Sequence, residues 1–237
     1  MLSAETRWGH AMKPAYGFNR KGALLLVSLL CFWAVPPRLS GASGPHGAVD
    51  LVSEQTAVQP GSPAPDFAAQ DTHGQTHKLA QYKGKYVVLE WHNRECPYTQ
   101  KHYSSGNMQN LQREWTAKGV VWFTVISSAP GQQGYMTADQ ENSFLEKVNA
   151  SPTAVLLDPA GQLGHLYGAK STPHMFVISP EGVLVYDGAI DDKPTTDTDD
   201  ISTAHNYVSA ALQESMAGKS VSTPATRPYG CGVKYAR

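Results

Sequence analysis

The run Tyr86-Val87-Val88-Leu89-Glu90-Trp91, which ends shortly before Cys96-Pro97, constrains this chain more than any other stretch. Rich in β-branched and aromatic side chains and preceded by the Gly84 turn, it reads as a buried central strand. Beyond Pro97, residues Met108, Leu111 and Trp115 recur at helical spacing until Gly119, which predicts one helix over residues 97–118. Cys96 therefore stands where a buried strand gives way to a helix N-terminus. Pro97 suits the first helical turn, where a missing N–H costs nothing.

The remaining pattern alternates strands and helices. Residues 120–127 form an apolar strand broken by Ala129-Pro130-Gly131, and Thr137 with Gln140 makes a capping box for a helix reaching about Val148, with Phe144, Leu145 and Val148 as its apolar face. Residues 154–157 read as a shorter strand, 162–167 as a short helix, and 174–179 as a strand joined through Pro180-Glu181-Gly182 to a partner over 183–186. An acidic, Thr-rich loop over 191–200 precedes a last helix over 202–216. This order predicts an α/β fold, a central mixed β-sheet with helices on both faces. No G-x-G-x-x-G or Walker-type loop follows any of these strands, which argues against a doubly wound nucleotide-binding fold.

The 237 residues, 41% apolar, suffice for one sizeable core. A formal charge of −1, from 19 basic and 20 acidic residues without long runs, offers no footprint for nucleic acid or an anionic membrane. Arg20 and Lys21 precede an apolar stretch over 23–35, then Pro36, Pro37 and small residues, which reads as a secretory signal over 1–42 with Ser40-Gly41-Ala42 as cleavage site. The stretch is shorter than the roughly 20 residues of a bilayer span, so an uncleaved anchor is the lesser reading. Cys31 leaves with the signal. Residues 43–60 read as a flexible linker and 61–237 as one domain, secreted or periplasmic and off the membrane once the signal is removed. Its two cysteines, Cys96 and Cys231, then lie in an oxidising compartment.

At a helix N-terminus the Cys96 sulfur faces unsatisfied N–H groups and the positive end of the helix dipole, which favours the nucleophilic thiolate. Thr99, three residues on, is placed to donate its hydroxyl to that thiolate. The competing reading of Cys96 is a small buried core residue. His92, His102 and His174 flank the site without zinc-type ligand spacing, so neither a metal nor another cofactor is expected.

Cys96-Pro97-Tyr98-Thr99 occupies the place of the thioredoxin C-x-x-C, and the chain resembles the redoxin group that includes the alkyl hydroperoxide reductase and thiol-specific antioxidant proteins. It is most similar to their peroxiredoxin-like branch with a Cys-Pro-Tyr site, and Gly61-Ser62-Pro63-Ala64-Pro65-Asp66-Phe67 resembles that group's entry segment. The resemblance implies a thioredoxin fold and a thiol-based oxidoreductase with Cys96 as nucleophile. Its substrate would be a protein thiol or disulfide or a small oxidant, with an external thiol as reductant.

The departures narrow the mechanism. Asn93 and Leu89 replace the Thr and Pro of the peroxiredoxin P-x-x-x-T-x-x-C, and Thr172-Pro173 stands where the peroxidase arginine would lie. Thr172-Pro173 instead resembles thioredoxin's cis-proline, with the Thr172 backbone open to an extended partner chain, so Pro97, Tyr98, Thr172 and Pro173 are the implied substrate contacts. Glu90 has the spacing of thioredoxin's buried carboxylate, a proton acceptor for a thiol; the alternative is a strand position pointing elsewhere or into a salt bridge. Cys231, in Pro228-Tyr229-Gly230-Cys231-Gly232-Val233-Lys234-Tyr235, resembles a mobile tail cysteine that resolves a Cys96 intermediate. The alternative is a structural or unpaired cysteine. Two further functions compete: a weak thiol peroxidase, and a non-catalytic thioredoxin-fold module that binds a client protein or metal.

Overall fold

The computed structural model describes residues 58–236, so the expected signal, Cys31 and most of the expected linker lie outside the described residues. The predicted central strand is β3, Val87–Trp91, and each of its residues is buried. It pairs in parallel with β4, Val121–Ile126, and antiparallel with β7, His174–Ile178. Outward from β4 lie β5, Ala154–Leu157, then β1, Ala68–Asp71, and β2, Thr76–Lys78; outward from β7 lies β8, Leu184–Gly188. The sheet is mixed, with order β2-β1-β5-β4-β3-β7-β8.

Alternation along β3 sends its side chains to two cores. Val87, Leu89 and Trp91 pack with Phe123, Phe176 and the α4 residues Leu163 and Tyr167, where α4 is Gln162–Tyr167. Val88 faces the opposite layer, with Met108, Leu111 and Trp115 of α2, Asn107–Ala117, and Val208, Ala211 and Leu212 of α5, Tyr207–Met216. Glu90 shares the Val88 face and so carries a carboxylate into an apolar layer.

Three differences from the expected elements have local causes. The single helix over 97–118 is two, α1 Pro97–Ser104 and α2, because Gly106 adopts φ 77° and the Ser105 hydroxyl donates back to the Lys101 carbonyl at 2.7 Å. The last helix begins at Tyr207 rather than Ser202: Asn206 caps it through the Ser209 N–H at 2.8 Å, and residues Asp199–Thr203 form a separate 3-10 turn. In α3, Ala138–Val148, the capping box of Thr137 and Gln140 is present, yet the fully buried residue is Glu141, with Phe144, Leu145 and Val148 only half-buried. Val58, within the expected linker, already packs against the first core.

Candidate active site

Cys96 is the N-cap of α1 and is wholly buried, with Pro97 at the first helical position. The Thr172–Pro173 peptide bond is cis, as expected, and Thr172 lies against the cysteine: the Cys96 thiol donates to the Thr172 carbonyl at 3.0 Å. Thr172 belongs to a short strand, β6, Ser171–Thr172.

The tail does not behave as the sequence implied. Residues Cys231–Gly232 form β9, antiparallel to β6, with Thr172 opposite Cys231 and Ser171 opposite Gly232. The Thr172 backbone, expected open to a partner, is thus covered by the chain's own C-terminal strand. The cysteine expected in a mobile tail lies beside Cys96: the Cys231 N–H donates to the Cys96 sulfur at 3.4 Å, and the Thr172 hydroxyl to the Cys231 carbonyl at 3.4 Å.

The tail is held by an aromatic anchor. Tyr235 donates to the Ala169 carbonyl at 2.8 Å and stacks on His165 with ring centroids 4.0 Å apart. A Cβ on Gly164 would lie 2.4 Å from the Tyr235 hydroxyl oxygen, and one on Gly161 2.7 Å from its ring, so two glycines make the seat. The Ala129 N–H donates to the Lys234 carbonyl at 2.8 Å and the Val233 N–H to the Lys170 carbonyl at 3.2 Å.

The two thiols are unequal. Burial alone would raise the Cys96 pKa, but the Cys231 thiol, the Thr172 hydroxyl and the backbone N–H groups of Thr99 and Cys231 together hold it below the usual cysteine value. Burial pushes Cys231 the other way, reinforced by donation to Cys96 and by the Cys96 charge, up to about 11. Cys96 is the readily ionised sulfur and Cys231 the one that keeps its proton. The Thr99 hydroxyl does not serve the thiolate as expected: it is buried without a hydrogen-bond partner among the described residues. The helix N-terminus instead presents the Thr99 backbone N–H toward the sulfur.

Tyr98 is half-buried and meets Tyr229 of the tail edge-on, with ring centroids 5.8 Å apart. Asn93, which stands at the peroxidase threonine position, builds the turn before Cys96. Its side-chain oxygen accepts from the Glu95 N–H at 2.9 Å, its amide donates to the Gln133 carbonyl at 3.3 Å, and its carbonyl accepts the Cys96 N–H at 3.0 Å. Its side chain is committed to backbone groups rather than to a ligand at the sulfur.

Glu90 takes the buried position its strand register dictates. Opposite Thr124 in the β3–β4 ladder, it accepts from the Thr124 hydroxyl at 3.2 Å, Trp122 Nε1 at 2.8 Å, Gln112 Nε2 at 3.2 Å and the Tyr103 hydroxyl at 2.8 Å. Its hydrogen bonds are to these four groups, and none is to Cys96. His102 and His174 serve structure: burial drives His102 down to about 4, so it stays neutral, and His174 Nε2 meets Asp187 Oδ1 at 2.7 Å. Among the described residues no group of His, Cys, Asp and Glu is arranged to hold a metal ion.

A thioredoxin fold with an N-capping cysteine against a cis-proline strand defines the class: this is a thioredoxin-like redoxin, a thiol-dependent oxidoreductase. The AhpC/TSA family pattern matches residues 60–187, and the chain belongs to that family. It is similar to the thiol-disulfide oxidoreductase ResA of Geobacillus kaustophilus (strain HTA426), 30% identical over 134 residues, covering 52% of this chain and 77% of the relative. It is also similar to ResA of Bacillus subtilis (strain 168), 26% identical over 152 residues, covering 64% of this chain and 75% of the relative. In fold it matches an uncharacterized conserved protein from Geobacillus kaustophilus, with TM-score 0.64 and 21% identity, over 76% of this chain and 94% of that one.

Proposed function

We propose that the protein is an exported thiol-disulfide oxidoreductase in which Cys96 is the nucleophile and Cys231 the resolving thiol. The observation that carries this reading is the approach of the Cys231 N–H to the Cys96 sulfur at 3.4 Å, joined to the opposite ionisation preferences of the two thiols. Export rests on the basic, apolar and small-residue succession over 20–42.

In the reductive direction the Cys96 thiolate attacks one sulfur of a partner disulfide, R–S–S–R′. A Cys96–S–S–R bond forms, the R–S–S–R′ bond breaks, and R′–S⁻ leaves and takes up a proton. The Cys231 thiol then gives up its proton and attacks the Cys96 sulfur, which closes a Cys96–Cys231 disulfide and releases R–SH. Two electrons have moved from the cysteine pair to the partner, and an external dithiol restores both thiols. The same steps reversed oxidise a partner dithiol. An extended polypeptide partner reaches Cys96 by displacing β9, since the cysteine is buried and its Thr172 edge is already paired.

The test uses the reduced protein lacking residues 1–42. With insulin as disulfide substrate, wild type is expected to turn over and to yield a Cys96–Cys231 peptide pair on mapping without reductant. Cys96→Ser should abolish turnover, and Cys231→Ser should accumulate a mixed disulfide between Cys96 and the substrate. Undiminished turnover by Cys96→Ser, or no trapped species with Cys231→Ser, overturns the assignment.

A further inference from the structure

The docked tail shows what the edge of β6 accepts. Beyond the Thr172–Cys231 and Ser171–Gly232 pairs, the Val233 N–H donates to the Lys170 carbonyl at 3.2 Å, and the Lys234 carbonyl accepts the Ala129 N–H at 2.8 Å. These are backbone bonds, which any extended segment can make, so they give affinity without selecting a sequence. Selection falls on the positions where the groove meets a side chain. At Gly230, φ is 130° and a Cβ would lie 2.1 Å from the Thr172 carbonyl oxygen, whereas at Gly232 the nearest atom to a Cβ is 3.9 Å away. The residue directly before the cysteine is thus restricted to glycine, and the one after it has room for a side chain.

Four positions after the cysteine the groove has an aromatic seat. The Tyr235 ring stacks on His165 at 4.0 Å, its hydroxyl donates to the Ala169 carbonyl at 2.8 Å, and Gly161 and Gly164 leave it the space that a Cβ at either position would fill. A segment in this register brings its own cysteine to the reacting sulfur, since the N–H at the Cys231 position is 3.4 Å from Cys96 Sγ. With the tail docked, Cys96 is wholly buried and its thiol is engaged by the Thr172 carbonyl at 3.0 Å. The tail and an extended partner therefore compete for one groove.

We propose that the partner is an extended segment with glycine directly before its disulfide-bonded cysteine and an aromatic residue four positions after it, bound in the register of residues 230–235 once the tail has swung out. His165, with Gly161 and Gly164, then forms the seat that determines specificity. The Cys96 thiolate attacks the partner's cysteine sulfur: a Cys96–S–S–partner bond forms, the partner's own disulfide breaks, and the displaced thiolate leaves and takes up a proton. The returning tail reclaims the β6 edge, and Cys231 gives up its proton and attacks the Cys96 sulfur. One movement thus closes the Cys96–Cys231 disulfide and expels the partner as a protonated thiol. This inference rests on the reading of Cys96 as nucleophile and Cys231 as resolving thiol, and deepens it by naming the class of partner sequence.

The experiment mixes the reduced protein lacking residues 1–42 with synthetic peptides of the sequence of residues 229–235, their cysteine activated as a thionitrobenzoate disulfide. Attack by Cys96 on the peptide sulfur releases a coloured thiolate, and the Cys96–peptide adduct is read by mass in Cys231→Ser. Alanine at the peptide's Tyr235 position should slow the reaction about tenfold. Alanine at its Gly230 position should slow it about tenfold or more, and alanine at its Gly232 position by less than about twofold. The His165 side chain is exposed, and α4 packs on the core through Leu163 and Tyr167, so His165→Ala keeps the helix in place. The penalty at the Tyr235 position should shrink in His165→Ala and vanish in Gly164→Ala, a ratio that general loosening of the tail does not move because it speeds both peptides alike. Equal rates for the parent and alanine peptides, or a penalty unchanged in both seat variants, overturns this inference and leaves Cys96 as nucleophile. Release undiminished in Cys96→Ser defeats the underlying reading.

Discussion

The Cys231 N–H donates to the Cys96 sulfur at 3.4 Å although 135 positions separate the two in sequence. On the proposed reading, this contact gives a Cys-Pro-Tyr-Thr site its second cysteine from outside the same turn. The opposite shifts of the two thiols set the expected order of reaction. As pH rises, Cys96 should react with neutral alkylating reagents below the pH range of an ordinary thiol, and Cys231 only toward about 11. Cys231→Ala removes the thiol donor that does most to lower Cys96, so the Cys96 profile should move toward the ordinary value. For a shift of about one unit, the thiolate fraction at neutral pH falls about tenfold. A profile unchanged in Cys231→Ala would show that the tail does not tune Cys96.

Tail docking can be loosened without touching either cysteine. Gly164→Ala places a methyl 2.4 Å from the Tyr235 hydroxyl oxygen, and Tyr235→Ala removes its bond to the Ala169 carbonyl and its stack on His165. A hydrogen bond and an aromatic contact contribute about 1–2 kcal/mol together, so the undocked population in Tyr235→Ala should rise about tenfold. Hydrogen exchange of the Val233 N–H and alkylation of Cys96 by a bulky maleimide should accelerate by that factor in either variant. Acceleration of the first without the second would mean that Cys96 is reached by a route other than tail release.

Much of this site is legible in the residues themselves because it depends on local chemistry. The strand 86–91, the break at Cys96-Pro97 and the Thr172-Pro173 strand entry follow from spacing and resemblance, and they meet in space because β3 and β7 are sheet neighbours. The Thr137–Gln140 capping box is local too, and is present. What stayed hidden depends on long-range pairing. Nothing in Gly230-Cys231-Gly232 marks a strand, and it becomes one only because β6 offers an unpaired edge. Gly161 and Gly164 read as turn and helix residues until the Tyr235 ring is seated on them. Thr99 shows the opposite error: sequence placed the right residue but the wrong atom, since its backbone N–H rather than its hydroxyl faces the sulfur.

Asp158 links the seat of the tail to the core. It accepts from the Ser127 hydroxyl at 2.6 Å and from the Leu163 and Gly164 N–H groups at 3.1 and 2.9 Å, so it caps the helix that carries the Tyr235 seat. Ser127 in turn receives Trp91 Nε1 at 3.0 Å. Asp158→Ala leaves these buried donors without an acceptor and should cost about 2–3 kcal/mol, read as a lower urea midpoint at unchanged slope. A loss under about 0.5 kcal/mol would place the cap's role elsewhere.

The last prediction concerns the Glu90 carboxylate buried in the second core layer. Glu90→Leu is close in volume, so packing alone would make it mild. The four donors now converging on the carboxylate decide otherwise: Trp122 Nε1 and the Tyr103 hydroxyl, each at 2.8 Å, would be left in an apolar layer with Gln112 and Thr124 beside them. Each unsatisfied buried donor costs about 1–3 kcal/mol, partly recovered where the Gln112 amide turns toward Tyr103, so a loss of about 3–5 kcal/mol is expected. Glu90→Gln with its amide oxygen at the Oε2 position keeps the contacts from Trp122, Gln112 and Thr124 and should lose less. Urea unfolding of the reduced variants measures the effect. A Glu90→Leu variant as stable as wild type would mean that the donors find other partners, and the buried carboxylate would then lose its place as the organiser of this core.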